Sequence, residues 1–265
     1  MPDDAQQSRA ADAVTALDAL TRRLRVECPW DREQDERTIV PHTLEEAYEL
    51  ADAAHRRDDA KMLDELGDVL FQVHFLSLLL EERGAGSLAD VAEHVRQKLI
   101  RRHPHVFGDV EVAHAGEVLA NWDAIKQGEA GREPGIFGEV PANLPALLYA
   151  RKVQRRTAST GFDVDEPPYE AIEGELDLVR EAAAGDDADA RFRDVGDLLF
   201  AAVNVARKLK VDPELALRAS ADRFRARVEA AERLAEAAGA TWNDLPPERQ
   251  LGYYAEARLH EEDTP

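Results

Sequence analysis

The sequence has little of what several protein classes require. It contains one cysteine, Cys28, so an intrachain disulfide is excluded and no metal cluster can be built from thiolates. Its longest apolar stretch, residues 69–80, is interrupted by polar residues and is shorter than the ~20 residues that a membrane crossing needs. The N-terminus lacks the basic and apolar regions of a signal peptide. We therefore expect a cytoplasmic protein that has no membrane partner.

Positive charge is also scarce. The chain has 33 Lys and Arg against 54 Asp and Glu, which gives a formal net charge of -21. Nucleic acids are bound chiefly by basic side chains that neutralise phosphates, so this balance argues against a nucleic-acid partner. A small phosphate-bearing molecule is compatible with the charge if a metal ion bridges the two anions.

Glycine, proline and aromatic residues are few, whereas Ala, Leu, Glu and Arg are abundant, and this composition favours helices. Apolar residues recur at helical spacing over residues 13–24, 44–54, 63–80, 88–100 and 118–125. We expect an all-α fold. A Gly/Pro-rich stretch at residues 128–145 predicts a linker between an N-terminal domain, residues 1–127, and a C-terminal domain, residues 146–265.

The two halves of the chain repeat each other. GDVLFQV at residues 67–73 returns as GDLLFAA at residues 196–202, and shared ancestry of the halves explains this better than chance. Extending the alignment pairs the acids of residues 45–49 with residues 173–177, and those of residues 65–68 with residues 194–197. The aligned basic and aromatic residues are Lys98 with Arg223, Arg102 with Arg227, Trp122 with Tyr254, and Lys126 with Arg258. The sequence therefore predicts a tandem repeat.

Acidic residues of the first half fall on two predicted helices. Residues three or four apart share one side of a helix, so Glu45 and Glu46 project near Glu49, and Glu65 projects near Asp68. A solvated face is the simplest interpretation of the first segment alone. The second segment leads into an apolar run that indicates a helix surrounded by protein, where unpaired carboxylates repel and lose hydration. Hard divalent cations relieve both costs, so the two segments together predict a metal site.

Basic residues accompany these acids. Lys61 lies one turn before the second acidic pair, Lys98 and Arg102 share a helix face, and Trp122 and Lys126 have the same spacing. Surface ion pairing is the simplest interpretation of each residue alone, but the recurrence in the second half favours a shared function. Ammonium and guanidinium groups bind phosphate oxygens, and an aromatic ring can stack on a base. These residues predict a nucleotide site, although the sequence has no P-loop motif.

Several motifs resemble the MazG family of nucleoside triphosphate pyrophosphohydrolases. They are CPWDREQ at residues 28–34, LEEAYEL at 44–50, DELGDVLFQV at 64–73, KLIRRHPHVFGD at 98–109 and NWDAIK at 121–126. ARKVQRRTASTGFDV at residues 150–164 is similar to the family's C-terminal segments, so the resemblance spans nearly the whole chain. It implies an all-α fold in which each of two helical-bundle domains completes a four-helix core on dimerisation. It also implies Mg²⁺, with Mn²⁺ as the alternative, and hydrolysis of NTPs and dNTPs to monophosphate and pyrophosphate in nucleotide-pool house-cleaning.

The resemblance also implies roles for individual residues. The metal ligands by position are Glu46, Glu49, Glu65 and Asp68, and the catalytic candidates are Glu45 and Glu46. The nucleotide-binding residues by position are Lys61, Lys98, Arg102, Trp122 and Lys126. Asp35 stands where the family usually has Thr.

The second half departs from the family pattern. Its candidate second site comprises Glu173, Asp177, Asp194, Asp197, Arg223, Arg227, Tyr254 and Arg258. Gly174 replaces one Glu of the pattern, Asp177 and Asp194 replace two others, and Ala190 stands opposite Lys61. A Glu-to-Asp change retracts the carboxylate by one methylene, which the strict geometry of Mg²⁺ tolerates poorly. We expect the N-terminal site to be active and the C-terminal site to be weak or purely architectural.

Two other functions stay open at this point. The first is a narrower enzyme of the same group, specific for dUTP, for dCTP or for phosphoribosyl-ATP, which a substrate panel would reveal. The second is a non-catalytic helical interaction module whose acids form a solvated or partner-binding surface. Mg²⁺-dependent release of pyrophosphate from ATP would separate an enzyme from such a module.

Overall fold

The computed structural model describes residues 4–114, 117–118, 121–122, 125, 135–138 and 140–262. These residues form helices and turns with no strand among them, which confirms the all-α class. The chain divides into two compact units, Met1–Glu129 and Ala130–Pro265. Most of the predicted linker lies outside the described residues, so the domain bounds at 127 and 146 stay predictions. Within the described ranges, no helix combines the length and the apolarity that a membrane crossing demands.

The first unit is built around one apolar helix. Its helices are α1 (Asp4–Glu27), α2 (Pro29–Glu33), α3 (Glu36–Arg56), α4 (Asp59–Glu82), α5 (Leu88–Arg102) and α6 (Pro104–Phe107). Helix α4 packs against α1, α3 and α5. Each of the first four helices predicted from apolar spacing lies within an observed helix, and the observed helices are longer because polar first and last turns carry no apolar signal.

Helix α3 begins at a reciprocal cap. The Asp35 carboxylate accepts hydrogen bonds from the backbone N–H groups of Arg37 and Thr38, at 2.8 and 3.0 Å. The Thr38 hydroxyl accepts the Asp35 N–H at 2.9 Å, which completes a capping box. Thr and Asp are both effective N-cap residues, so Asp35 can replace the family's usual Thr without loss of the cap.

The core of the first unit lies between α3 and α4. Ile39, Phe75 and Leu79 are buried together, and Phe71 and Leu76 pack against them. Burying this apolar surface holds the two helices side by side. The pairing brings the acidic segment of α3 alongside the acidic segment at the start of α4.

One side of α4 is left uncovered within the unit. Leu63, Leu66, Leu70 and Val73, here called the α4 stripe, are exposed, and Leu63 retains 75% of its accessible surface. The apolar pattern predicted a helix surrounded by protein, yet a single chain covers only part of it. Residues at this spacing form one continuous apolar face of a helix.

The second unit repeats this arrangement. Its helices are α7 (Ala146–Ala158), α8 (Tyr169–Ala184), α9 (Ala188–Lys208), α10 (Pro213–Ala237) and α11 (Pro247–Glu262), with a 3₁₀ turn at Trp242–Asp244. Helix α9 packs along α8 as α4 packs along α3. Phe192, Val195 and Leu199, the α9 stripe, are exposed and align with the first three residues of the α4 stripe. The internal repeat therefore extends to the face that each unit leaves uncovered.

Candidate metal centre

Helices α3 and α4 bring three carboxylates together. Oxygen atoms of Glu46, Glu49 and Glu65 all lie within 4.8 Å of one another. Glu65 is 1% exposed, Glu46 is partly buried and Glu49 faces solvent. We call these three residues the acid group. It contains three of the four ligands that the sequence predicted.

The fourth predicted ligand, Asp68, lies outside the acid group. It is exposed rather than buried, which differs from the burial that the sequence pattern suggested. Its charge still acts on the group: burial, followed by repulsion from Asp68 and Glu65, raises the pKa of Glu46 above its usual value. Asp68 therefore lies close to the acid group without being part of its closest contacts.

Glu45 points away from the acid group. Its carboxylate pairs with His42 Nδ1 at 3.3 Å, and most of its side chain is exposed. Adjacent residues on a helix point about 100° apart, so Glu45 and Glu46 cannot both face α4. The packing of α3 against α4 turns Glu46, and not Glu45, towards the acid group.

Lys61 is the cation in contact with the acid group. Its Nζ forms an ion pair with Glu65 Oε1 and lies 3.8 Å from Glu49 Oε2. Lys61 also lies 3.6 Å from Asp64 Oδ2. This ammonium lowers the pKa of Glu65 against the opposing effect of burial. Apart from this ammonium, the two Glu65 oxygens have no hydrogen-bond partner in the described part of the chain.

These residues fit a divalent cation that prefers oxygen ligands. Burying a charged carboxylate costs hydration, and the mutual repulsion of three acids adds to the cost. A hard cation such as Mg²⁺ relieves both, and the acid group offers only carboxylate oxygens. In the part of the chain that the structure describes, no other three His, Cys, Asp or Glu residues come as close together.

The sequence analysis did not identify Asp64 as a site residue. Asp64 lies one turn from Lys61 and one turn from Asp68, and all three line a concave surface of about 660 Å³ at the start of α4. Its helical spacing from both residues was the available signal. The concave surface leaves about half of the Lys61 side chain exposed to solvent.

Two of the predicted nucleotide-binding residues contact each other. The Arg102 guanidinium carbon lies 5.8 Å from the centre of the Trp122 ring, within the range of cation–π attraction. The His103 ring meets Trp122 edge-on at 4.8 Å, a contact that the sequence did not indicate. Lys98 lies partly buried on α5, and Lys126 is outside the described residues.

The candidate second site has a different arrangement. Asp194, 6% exposed, pairs with Arg193 at 2.9 Å, and Asp177 pairs with Arg180 at 2.7 Å. These acids are therefore neutralised by arginines from their own helices. The remaining predicted members, Glu173, Asp197, Arg223, Arg227, Tyr254 and Arg258, lie on α8, α9, α10 and α11.

Comparison with known proteins identifies the family. Residues 34–107 match the MazG nucleotide pyrophosphohydrolase domain. The chain is 41% identical over 234 residues to the nucleoside triphosphate pyrophosphohydrolase/pyrophosphatase MazG of Thermotoga maritima, covering 87% of this chain and 89% of that protein. The chain belongs to the MazG family. The resemblance seen in the motifs is thereby confirmed.

Other MazG relatives align over similar lengths. The nucleoside triphosphate pyrophosphohydrolase of Escherichia coli K12 is 40% identical over 220 residues, or 80% of this chain and 83% of that protein. The nucleoside triphosphate pyrophosphohydrolase of Mycolicibacterium smegmatis is 32% identical over 223 residues, which cover 80% of this chain and 66% of that protein. These alignments are longer than the first unit, so the MazG relationship continues into the second.

Proposed function

We propose that this protein hydrolyses nucleoside triphosphates to nucleoside monophosphate and pyrophosphate with the help of Mg²⁺ bound by the acid group. The observation that carries this proposal is that the acid group, with its buried Glu65, lies inside the segment that matches the MazG domain. The names of the Thermotoga maritima and Escherichia coli relatives support the same reaction. Mn²⁺, which accepts the same oxygen ligands, is the alternative ion.

Each site residue has a proposed part in this reaction, which adds water across the link between the α and β phosphates. Bound Mg²⁺ would neutralise phosphate charge and make an attacking water more acidic. Asp68, whose charge acts on Glu46, is proposed as the fourth ligand. Of the two catalytic candidates, Glu46 is proposed to accept the proton of the attacking water, because Glu45 pairs with His42 away from the acid group.

The basic and aromatic residues of the first unit are proposed to hold the substrate. Lys61, which lines the concave surface, would contact phosphate oxygens together with Lys98 and Arg102. The Trp122 ring would stack on the base. Lys126, which is not among the described residues, is proposed to assist in holding the substrate.

The second unit is proposed to serve assembly rather than hydrolysis. Asp177 and Asp194, which align with acids of the first site, are each paired with an arginine of their own helix. The exposed α9 stripe gives this unit an apolar surface for contact with a second copy. We accordingly propose a homodimer in which the first unit carries the active site.

Pyrophosphate release from ATP by the purified full chain, with and without Mg²⁺, tests the proposed reaction. Glu49→Gln and Asp68→Asn should abolish turnover while circular dichroism shows an unchanged helical fold. Asp52→Asn is a matched control, because Asp52 lies on α3 close to Glu49 but pairs with Arg56 at 3.1 Å. Full activity of Glu49→Gln, or no release of pyrophosphate by the wild type, would refute the proposal.

A further inference from the structure

Lys61 contacts two of the three carboxylates of the acid group. Its Nζ pairs with Glu65 and lies 3.8 Å from Glu49, so the ammonium lies where these two acids converge. The position is fixed by the start of α4, since the N-cap residue Asp58 accepts the Lys61 backbone N–H at 3.0 Å. One helical turn then separates Lys61 from Glu65, the spacing at which side chains meet.

A divalent ion bound by the same carboxylates would lie within a few ångströms of this ammonium. Two positive charges that close repel, and the repulsion is strong beside a buried group such as Glu65 because screening by water is reduced there. Lys61 and a metal ion therefore draw on the same oxygen atoms. Metal binding requires either a weaker complex or a new position for the Lys61 ammonium.

The structure offers Lys61 such a position. About half of its side chain is exposed, and it borders the concave surface at the start of α4. The other charged residues among the described lining are Asp58, Asp64 and Asp68, so Lys61 is the group there that can pair with an anion. A phosphate group placed in the concavity would pair with Lys61, whose four-carbon stem is flexible.

We infer that Lys61 couples metal binding to phosphate binding: it weakens the hold of the acid group on a divalent ion until a phosphate-bearing ligand engages its ammonium. The inference rests on the proposed nucleotide substrate for the identity of that ligand. Linkage is reciprocal, so the metal ion in turn strengthens phosphate binding by freeing Lys61. The enzyme thereby assembles its full metal site chiefly when substrate is present.

The second unit supports this assignment by contrast. Ala190 occupies the position aligned with Lys61, and the aligned acid Asp194 is paired with Arg193 instead. The second unit therefore lacks this lysine, and no acid group is assembled among its described residues.

Mn²⁺ titration of the full chain without nucleotide, followed by electron paramagnetic resonance, tests the metal half of the coupling. Lys61→Met and Lys61→Gln should each bind Mn²⁺ about tenfold more tightly than the wild type, within the range typical of coupled sites. Lys61→Arg should stay close to wild type. Arg56→Met, which removes a positive charge paired with Asp52 on α3, should leave the affinity unchanged.

Titration with α,β-methylene-ATP, which resists cleavage at this link, tests the phosphate half. Saturating Mn²⁺ should strengthen binding of this analogue to the wild type more than to Lys61→Met. Unchanged or weaker Mn²⁺ binding by both neutral Lys61 variants would overturn the inference. Glu65→Gln shows whether the metal site itself exists. If Glu65→Gln abolishes Mn²⁺ binding but the Lys61 variants do not strengthen Mn²⁺ binding, the metal site stands and only the coupling is wrong. If Glu65→Gln also binds Mn²⁺ normally, the proposed function fails as well.

Discussion

At the scale of single residues, Glu65 combines burial and negative charge with two further carboxylates close by. It is 1% exposed, and among the described residues its close cationic contact is the ion pair with Lys61. An arrangement that is costly for folding is expected where function requires it. The aligned Asp194 does not carry this cost to the same degree, because a hydrogen bond from Arg193 satisfies it.

Glu65→Gln tests whether Glu65 serves activity more than it serves stability. The change keeps the shape of the side chain but removes the charge that Lys61 stabilises, so the melting temperature in EDTA should fall slightly below that of the wild type. Turnover should fall at least about 100-fold, since even residues that merely support a metal ligand cost 10–100-fold when replaced. Thermal denaturation and pyrophosphate release measure the two effects. A large loss of stability with retained turnover would mark Glu65 as structural.

A pH-dependent contribution to stability comes from Asp163 in the second unit. Hydrogen bonds from Arg207, then from the Val164 backbone N–H and from Lys208, lower the pKa of Asp163 to about 2 from its usual 3.8, against the opposing effect of burial. Because the folded-state pKa is the lower one, this contribution is present above pH 4 and is lost as the pH falls towards 2.

Asp163→Asn should therefore destabilise the protein at neutral pH and not at pH 2. We expect a loss of roughly 1–2 kcal/mol at pH 7, after allowance for the solvent exposure of the pair. Urea denaturation at several pH values measures it, with the exposed neighbour Asp165→Asn as control. An equal loss at pH 7 and pH 2 would contradict an electrostatic origin.

At the scale of the helix, the start of α3 determines where the acidic segment falls on the helix surface. Asp35→Ala removes the cap and should cost about 1 kcal/mol of unfolding free energy. Asp35→Thr should retain most of the stability, because Thr can accept the same backbone hydrogen bonds. Chemical denaturation compares the variants. If Asp35→Thr were as unstable as Asp35→Ala, capping would not explain why Asp can replace Thr at position 35.

The helices and their pairing follow from the sequence more readily than the direction of individual side chains. Apolar periodicity located α3 and α4, and the acidic spacing placed Glu46, Glu49 and Glu65 on facing segments. It could not decide between Glu45 and Glu46, because that choice depends on how α3 is rotated against α4. Nor could it show that Asp68 is exposed, since the uncovered side of α4 is a property of tertiary packing.

At the scale of the whole molecule, the two stripes predict assembly. Large exposed apolar faces usually mark protein interfaces, and the repeat places one on α4 and one on α9. In the proposed homodimer, a second copy of the chain would cover each stripe. Phe192, 85% exposed, is the most exposed large apolar residue in the described chain.

Light scattering of the purified chain should give twice the monomer mass of 29.4 kDa. Leu70→Glu and Leu199→Glu each place a charge in one stripe and should shift the equilibrium towards monomer, because burying an unpaired charge is costly. Leu251→Glu, at an exposed position on α11 outside both stripes, is the control. A wild-type monomer at micromolar concentration would rule out this assembly.

The most direct test of the metal centre is anomalous scattering from crystals of the full chain soaked in Mn²⁺. The account predicts a strong peak in contact with the carboxylates of Glu46, Glu49 and Glu65, and no comparable peak at Asp177 and Asp194. Well-ordered density for the acid group with no peak beside it at saturating Mn²⁺, or a peak only in the second unit, would contradict it.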